Sequence, residues 1–148
     1  MFKVLTPVDL YHPRPVEFDK ADGHVLPGQW VKLVEPKKYK KMGGSDLGDV
    51  NCRMSRVDTS KISTVGIDNE HEPATFTDAN NMMTVMDASA EVRVVTDQLK
   101  TDTYTAGAPL TVLGGILQNV AAPTDVIAAY YEGPYEGTNH IVVLHNAL

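Results

Sequence analysis

Four lysines flank one aromatic residue in Lys37-Lys38-Tyr39-Lys40-Lys41, the sharpest chemical feature of the sequence. Ammonium groups around a ring can grip a phosphate backbone or an acidic protein patch. The same run also reads as a solvated hairpin tip whose lysines keep a sheet edge from aggregating. A nucleophile is harder to find. Cys52 is the only cysteine, and Arg53 and Arg56 lie near it in sequence, which would favour a thiolate. An isolated cysteine is nevertheless most often a small buried hydrophobe. His140 and His145 are five apart on an expected strand, so they face opposite sides and cannot chelate one metal together. His71 lies among oxygens in Asp68-Asn69-Glu70-His71-Glu72 but lacks the spaced carboxylates and glycine of a calcium loop; it reads as part of a solvated acidic loop. His12 and His24, flanked by proline and glycine, read as surface residues. There is no glycine-rich phosphate loop leading into a helix, no Gly-x-Ser-x-Gly elbow and no His-Glu-x-x-His. No catalytic residue, metal ligand or cofactor-binding residue is expected, and the chain reads as non-enzymatic.

The elements that position these residues read as mainly β, with no amphipathic helix. Phe2 to Leu5 is a short β-prone run leading into Pro7, Tyr11, Pro13 and Pro15, which favour an extended N-terminal arm over residues 1–25. Residues 26–148 read as a single β-rich domain. Leu26-Pro27-Gly28 is a turn before a strand at Gln29 to Val34, and Lys37 to Gly44 reads as a basic loop. Residues 45–80 show no clear period and read as a long irregular insertion, with short β-like pieces at Lys61 to Ile67 and around Phe76. Met82 to Met86 and Glu91 to Thr96 alternate, with Val92 and Val94 on one face and Glu91, Arg93 and Asp97 on the other. Further strands are expected at Thr103 to Thr105, Leu110 to Leu113, Ile116 to Gln118, Val126 to Glu132 and His140 to His145. Short strands punctuated by glycine and proline predict a small antiparallel β-barrel or β-sandwich. Ile141 to Leu144 and Val126 to Tyr131 are apolar on both faces, which fits a central core strand or a subunit interface. Trp30, the only indole, is expected in the core, with Lys32 leaving open a face against an arm or partner.

The 148 residues are 43% hydrophobic and 22% charged, enough for one domain with its own core. No apolar run has the length of a membrane span, and the N-terminus lacks a charged-then-apolar export pattern; a soluble protein made in the cytoplasm is expected. One cysteine excludes an internal disulfide and a multi-cysteine zinc site. The net charge of −6 hides a gradient: residues 1–60 hold ten Lys/Arg against eight Asp/Glu, and residues 61–148 hold three against eleven. Such polarity disfavours nucleic acid over the C-terminal portion and suits a protein whose ends meet different surfaces.

Gly28-Gln29-Trp30-Val31-Lys32-Leu33, Tyr104 to Val112 with Gly115-Ile116-Leu117, Val126 to Pro134 and His140 to Leu144 together resemble the head-decoration, or capsid cement, proteins of tailed bacteriophages. The resemblance covers positions 28–34 and about the last 50 residues. It implies a non-enzymatic, β-rich virion protein on the capsid exterior that stabilises the shell by bridging neighbouring major capsid subunits. Such proteins are often trimers, so the implied partners are the major capsid protein and further copies of the chain, with no membrane, cofactor or direct nucleic-acid contact. The contact residues would be Phe2, Val4, Leu5 and Tyr11 of the arm, adding a strand to a sheet edge, and Lys37, Lys38, Tyr39, Lys40 and Lys41 of the basic run. A tail-tube, adaptor or fibre-base protein accounts for the same pattern, and a small-ligand-binding or enzymatic barrel is a third alternative.

Overall fold

Alternating side chains and tight turns produce thirteen strands and no helix among the described residues. A computed structural model describes residues 2–6, 11–61, 66–67, 73–74, 81–88 and 91–145. In chain order the strands are β1 (Phe2–Val4), β2 (Tyr11–Asp19), β3 (Trp30–Glu35), β4 (Lys38–Lys41), β5 (Arg53–Ser55), β6 (Gly66–Ile67) and β7 (Pro73–Ala74). They continue as β8 (Met82–Ala88), β9 (Val92–Thr96), β10 (Pro109–Leu113), β11 (Ile116–Asn119), β12 (Ala129–Pro134) and β13 (His140–Leu144). The mainly β expectation is met by two larger units and the small β6–β7 pair. Five strands close into a barrel in the order β2-β4-β3-β5-β8, and six form a sheet in the order β1-β9-β13-β12-β10-β11.

The barrel fills its interior with Val16, Phe18, Val31, Tyr39, Met83 and Val85, with Val25 packed among them. Its outward face toward the sheet carries Trp30, Met54 and Met86, set side by side by the registers Trp30↔Met54 and Met54↔Met86. These three meet Val92, Val94, Leu110, Leu117, Val142 and Leu144 of the sheet in a second core. The molecule is thus a barrel laid on one face of an open sheet, with a packed layer on each side of β3, β5 and β8. The Trp30 amide donates to Gly115 O at 2.8 Å and ties the two units together. Gly114 and Gly115, both at positive φ (64° and 89°), form the two-residue turn between β10 and β11. A Cβ on Gly115 would also lie 3.2 Å from Trp30 O, so this turn can approach the barrel only with glycine there.

Several elements differ from the sequence expectation. Residues 1–25 were expected as an arm, yet β1 pairs with β9 and β2 is a nine-residue barrel strand despite Pro13 and Pro15. The reason is directional. Glu17 N donates to Lys37 O on the β4 side of β2, and Phe18 N donates to Asn81 O on the β8 side. Pro13 and Pro15 share the orientation of Glu17, where β4 pairs only with residues 17–19, so no ladder bond is lost to their missing N–H. The basic segment expected as a loop forms β4, because alternation buries Tyr39 inside the barrel. Thr103 to Thr105 is not a strand, and the strand expected from Val126 begins at Ala129. β5 lies in the segment expected to be irregular. Phe76, His71 and Pro7 lie outside the described residues. β13 is central in its sheet, with Val142 and Leu144 in the core and Ile141 and Val143 half-buried on the opposite face.

Candidate functional site

The lysines of β4 do not surround the Tyr39 ring. Tyr39 is 3% exposed, and its hydroxyl accepts a hydrogen bond from Arg14 Nη2 at 2.8 Å. Lys38 and Lys40 point outward toward carboxylates, with Lys38 Nζ 3.9 Å from Glu17 and Lys40 Nζ 3.1 Å from Asp22. Lys32 on the adjacent strand bonds Asp46 at 2.6 Å, an interaction that pulls the Asp46 carboxyl below its ordinary range. Lys37 is exposed at the β3–β4 turn with φ 63°, and Lys41 lies in a shallow groove beside Gly43 and Asp46. The run is therefore an outer barrel surface laced to carboxylates, and Tyr39 is a core residue.

Phe2, Val4 and Leu5 occupy a sheet edge of the chain itself. Phe2 and Val4 pack on the interlayer core, and Leu5 N donates to Arg93 O at 2.9 Å. Because Lys3 and Leu5 face β9, the main-chain groups of Phe2 and Val4 point to the other side, where no strand pairs with β1 among the described residues. The opposite end of the sheet is covered: Leu117 N donates to Gln98 O, and Lys100 N donates to Leu117 O. Tyr11 stands at the start of β2 opposite Ala88, in the barrel and not on β1. The structure therefore keeps Phe2, Val4 and Leu5 together on the sheet and separates them from Tyr11 and the lysines, which lie in the barrel.

Among the described residues, the other titratable groups are scattered over both layers. Cys52 is buried beside Trp30 and Met54, and burial pushes its thiol up to about 11, the opposite of nucleophile activation. Arg53, which sequence proximity places near the thiol, instead turns its guanidinium to Asp87 at 2.9 Å. Arg14 bonds the other Asp87 oxygen, so one buried carboxylate on β8 joins cations from β2 and β5 at one end of the barrel. This cluster was not foreseen, although Arg14 falls in the same alternation as Val16 and Phe18 and so had to point inward. On the sheet, the Tyr131 hydroxyl lies 2.9 Å from His140 Nδ1, and Tyr104 stacks on Tyr131 at 5.1 Å. Burial pushes His140 below the usual histidine value and raises Tyr104 and Tyr131. His145 lies apart from His140, with its ring edge against Tyr130 at 5.4 Å. His24 Nδ1 lies 3.1 Å from Thr59 Oγ1.

A cleft of about 510 Å³ opens where barrel and sheet meet. Trp30 and Cys52 line it from the barrel side, Val126 and Ile127 from the segment before β12, and Asp49 and Asp125 add carboxylates. Asp125 accepts from the Ala121 and Ala122 amides, which hold its carboxyl below the ordinary range. Trp30 Nε1 is buried without a hydrogen-bond partner among the described residues. Beyond Trp30 itself, no local pattern of residues announces this cleft. Its chemistry is that of an apolar recess edged by His145 and by two carboxylates that already accept backbone amides. Comparison with family models, curated proteins and solved structures finds no match to this chain, so the functional reading rests on its residues and geometry.

Proposed function

We propose that the chain is a non-enzymatic structural protein of a virion, made in the host cytoplasm, that binds the outer surface of a phage capsid and bridges neighbouring major capsid subunits. In this reading it acts as a homo-oligomer, a trimer by its resemblance to decoration proteins, without a cofactor, a membrane or direct nucleic-acid contact. The observation that carries the reading is the division of charge between the two layers. Barrel residues 11–61 and 81–88 hold ten Lys/Arg against eight Asp/Glu, whereas sheet residues 2–6 and 91–145 hold three against six. A basic barrel surface around Lys37, Lys38 and Lys40 would face an acidic shell, leaving the acidic sheet outward. The side of β1 that no described strand pairs with would offer main-chain groups to a strand of a neighbouring subunit. Individually weak contacts suffice, because many copies on one shell hold it together multivalently.

The test is co-sedimentation of the purified chain with shells assembled from the major capsid protein of the same genome. Binding is expected at low salt, weaker at about 0.5 M salt, where exposed charges are screened. The double variant Lys37→Glu/Lys38→Glu is expected to bind less at low salt. Absence of the chain from the shell pellet at every salt concentration would overturn the reading.

A further inference from the structure

On the surface, cations and carboxylates of this chain meet one to one, as Lys32 with Asp46, Lys40 with Asp22 and Arg93 with Glu132. At one end of the barrel they do not. There Asp87 of β8 meets Arg14 of β2 and Arg53 of β5, two guanidinium groups against one carboxylate. Arg14 gives Nε and Nη2 to Asp87 and Nη2 also to the Tyr39 hydroxyl, with its Cζ 5.6 Å from the centre of the Tyr39 ring. Arg53 gives Nε to Asp87 at 2.9 Å and Nη1 to the carbonyls of Val50 and Cys52 at 2.8 and 2.9 Å. Among the described residues, neither Arg14 Nη1 nor Arg53 Nη2 has an acceptor. The cluster therefore holds one more positive charge than negative.

Position makes that surplus matter. Side-chain exposure is 7% at Asp87, 11% at Arg53 and 36% at Arg14. In register, Arg53 stands opposite Val31 and Arg14 opposite Val85, both part of the barrel interior. A surplus charge beside an apolar interior is costly unless a counter-charge reaches it, and Arg14 is the side open to water. The free donors select the ligand. Asp87 already occupies the fork of Arg14, the edge that best suits a planar carboxylate. What remains is the outer end of each guanidinium, offered from two different strands. A tetrahedral oxyanion, whose oxygens point in several directions, accepts from two such ends better than a planar group does.

We propose that this end of the barrel binds a phosphate group, held by Nη1 of Arg14 and Nη2 of Arg53. Asp87 is the positioning residue, since its carboxylate fixes both guanidinium groups with their outer ends free. The phosphate is either the free ion or the terminal group of a larger molecule, and the chemistry of recognition is the same. The site is independent of the capsid reading, and either can fail without the other.

The experiment titrates inorganic phosphate into the full chain at constant ionic strength and follows the arginine Nε–Hε signals by NMR. The Arg14 and Arg53 signals are expected to move together and saturate, with half-saturation below about 5 mM, while Arg93 stays still as the internal control. Acetate at the same ionic strength is expected to bind at least about tenfold more weakly. About 10 mM phosphate should raise the melting temperature by roughly 2–5 °C beyond its effect on Arg14→Gln, which has lost half of the site. Arginine signals that do not move, or that drift in proportion to concentration without saturating, overturn the proposal. So does acetate that matches phosphate, or an Arg14→Gln variant that moves the Arg53 signal as wild type does. If Arg14→Gln does not fold, shown by circular dichroism, the wild-type titration decides alone. Glycerol phosphate that binds more tightly than inorganic phosphate assigns the site to the terminal phosphate of a larger molecule; the reverse order assigns it to the free ion.

Discussion

In the barrel every strand has a partner on both sides, whereas in the six-stranded sheet β1 has one among the described residues. The barrel also keeps its charge inside its own fabric, with Arg14 and Arg53 sharing Asp87 and Lys38 and Lys40 meeting Glu17 and Asp22. The sheet carries a surplus of carboxylates, and one face of its central strand β13 stays only half-covered. Closure removes sheet edges and makes a self-contained unit; an open edge and an unbalanced surface are what a unit needs to join others. The difference teaches that one half completes its own backbone pairing while the other leaves an edge open among the described residues, with Trp30 at their join.

The largest effect is expected from breaking that join. Trp30→Ala leaves a void between Met54, Met86 and the sheet and costs about 3–5 kcal/mol, read as a lower urea midpoint. Asp87→Asn tests the barrel alone. It strands two guanidinium groups where one carboxylate served both, and costs about 2 kcal/mol because Arg14 is partly exposed to water. Sheet residues should then keep their native amide-exchange protection better than barrel residues.

Two pH effects are smaller and report on different places. The raised Cys52 thiol favours the neutral form in the folded state. Its contribution is complete below the ordinary thiol value of 9 and is lost as pH rises toward about 11. Alkaline unfolding should therefore be milder in Cys52→Ala once the cost of its cavity is subtracted, and iodoacetamide should fail to label the native thiol near pH 8. His140 has the opposite sense. Its folded value is depressed, so its contribution is present above pH 6.5 and is lost as pH falls below that value through the folded one. His140→Gln should flatten the acid limb of the stability profile, measured by thermal melts from pH 7 down to about 4. The smallest change is expected from Glu132→Gln, which removes the bidentate partner of Arg93 on the exposed sheet surface and should leave the urea midpoint unmoved.

The fold was legible where alternation and turns act locally. Val92 and Val94 against Arg93, the Gly114-Gly115 turn and the apolar run at Ile141 to Leu144 all declared their strands. What escaped depends on neighbours distant in sequence. Pro13 and Pro15 look incompatible with a strand until it is known that β4 stops short of them. Tyr39 looks like one member of a basic patch until the barrel closes around it. β5 is only Arg53-Met54-Ser55, too short to show a period, and it exists because β3 and β8 hold it between them. The cleft joins Asp49 and Val50 to Asp125 and Val126 across the layer boundary, and no local pattern announces such a pairing. The resemblance to decoration proteins was carried by turns and strands, and it remains the basis of a proposal about partners.

That proposal meets its most direct test in the heat resistance of shells. Calorimetry of expanded shells from the same genome, with and without saturating chain, should show the shell transition move to higher temperature. The shift should be reduced in Lys37→Glu/Lys38→Glu at equal concentration. A shell transition unchanged by the wild-type chain, at concentrations that saturate every surface site, would contradict a stabilising role on the capsid exterior.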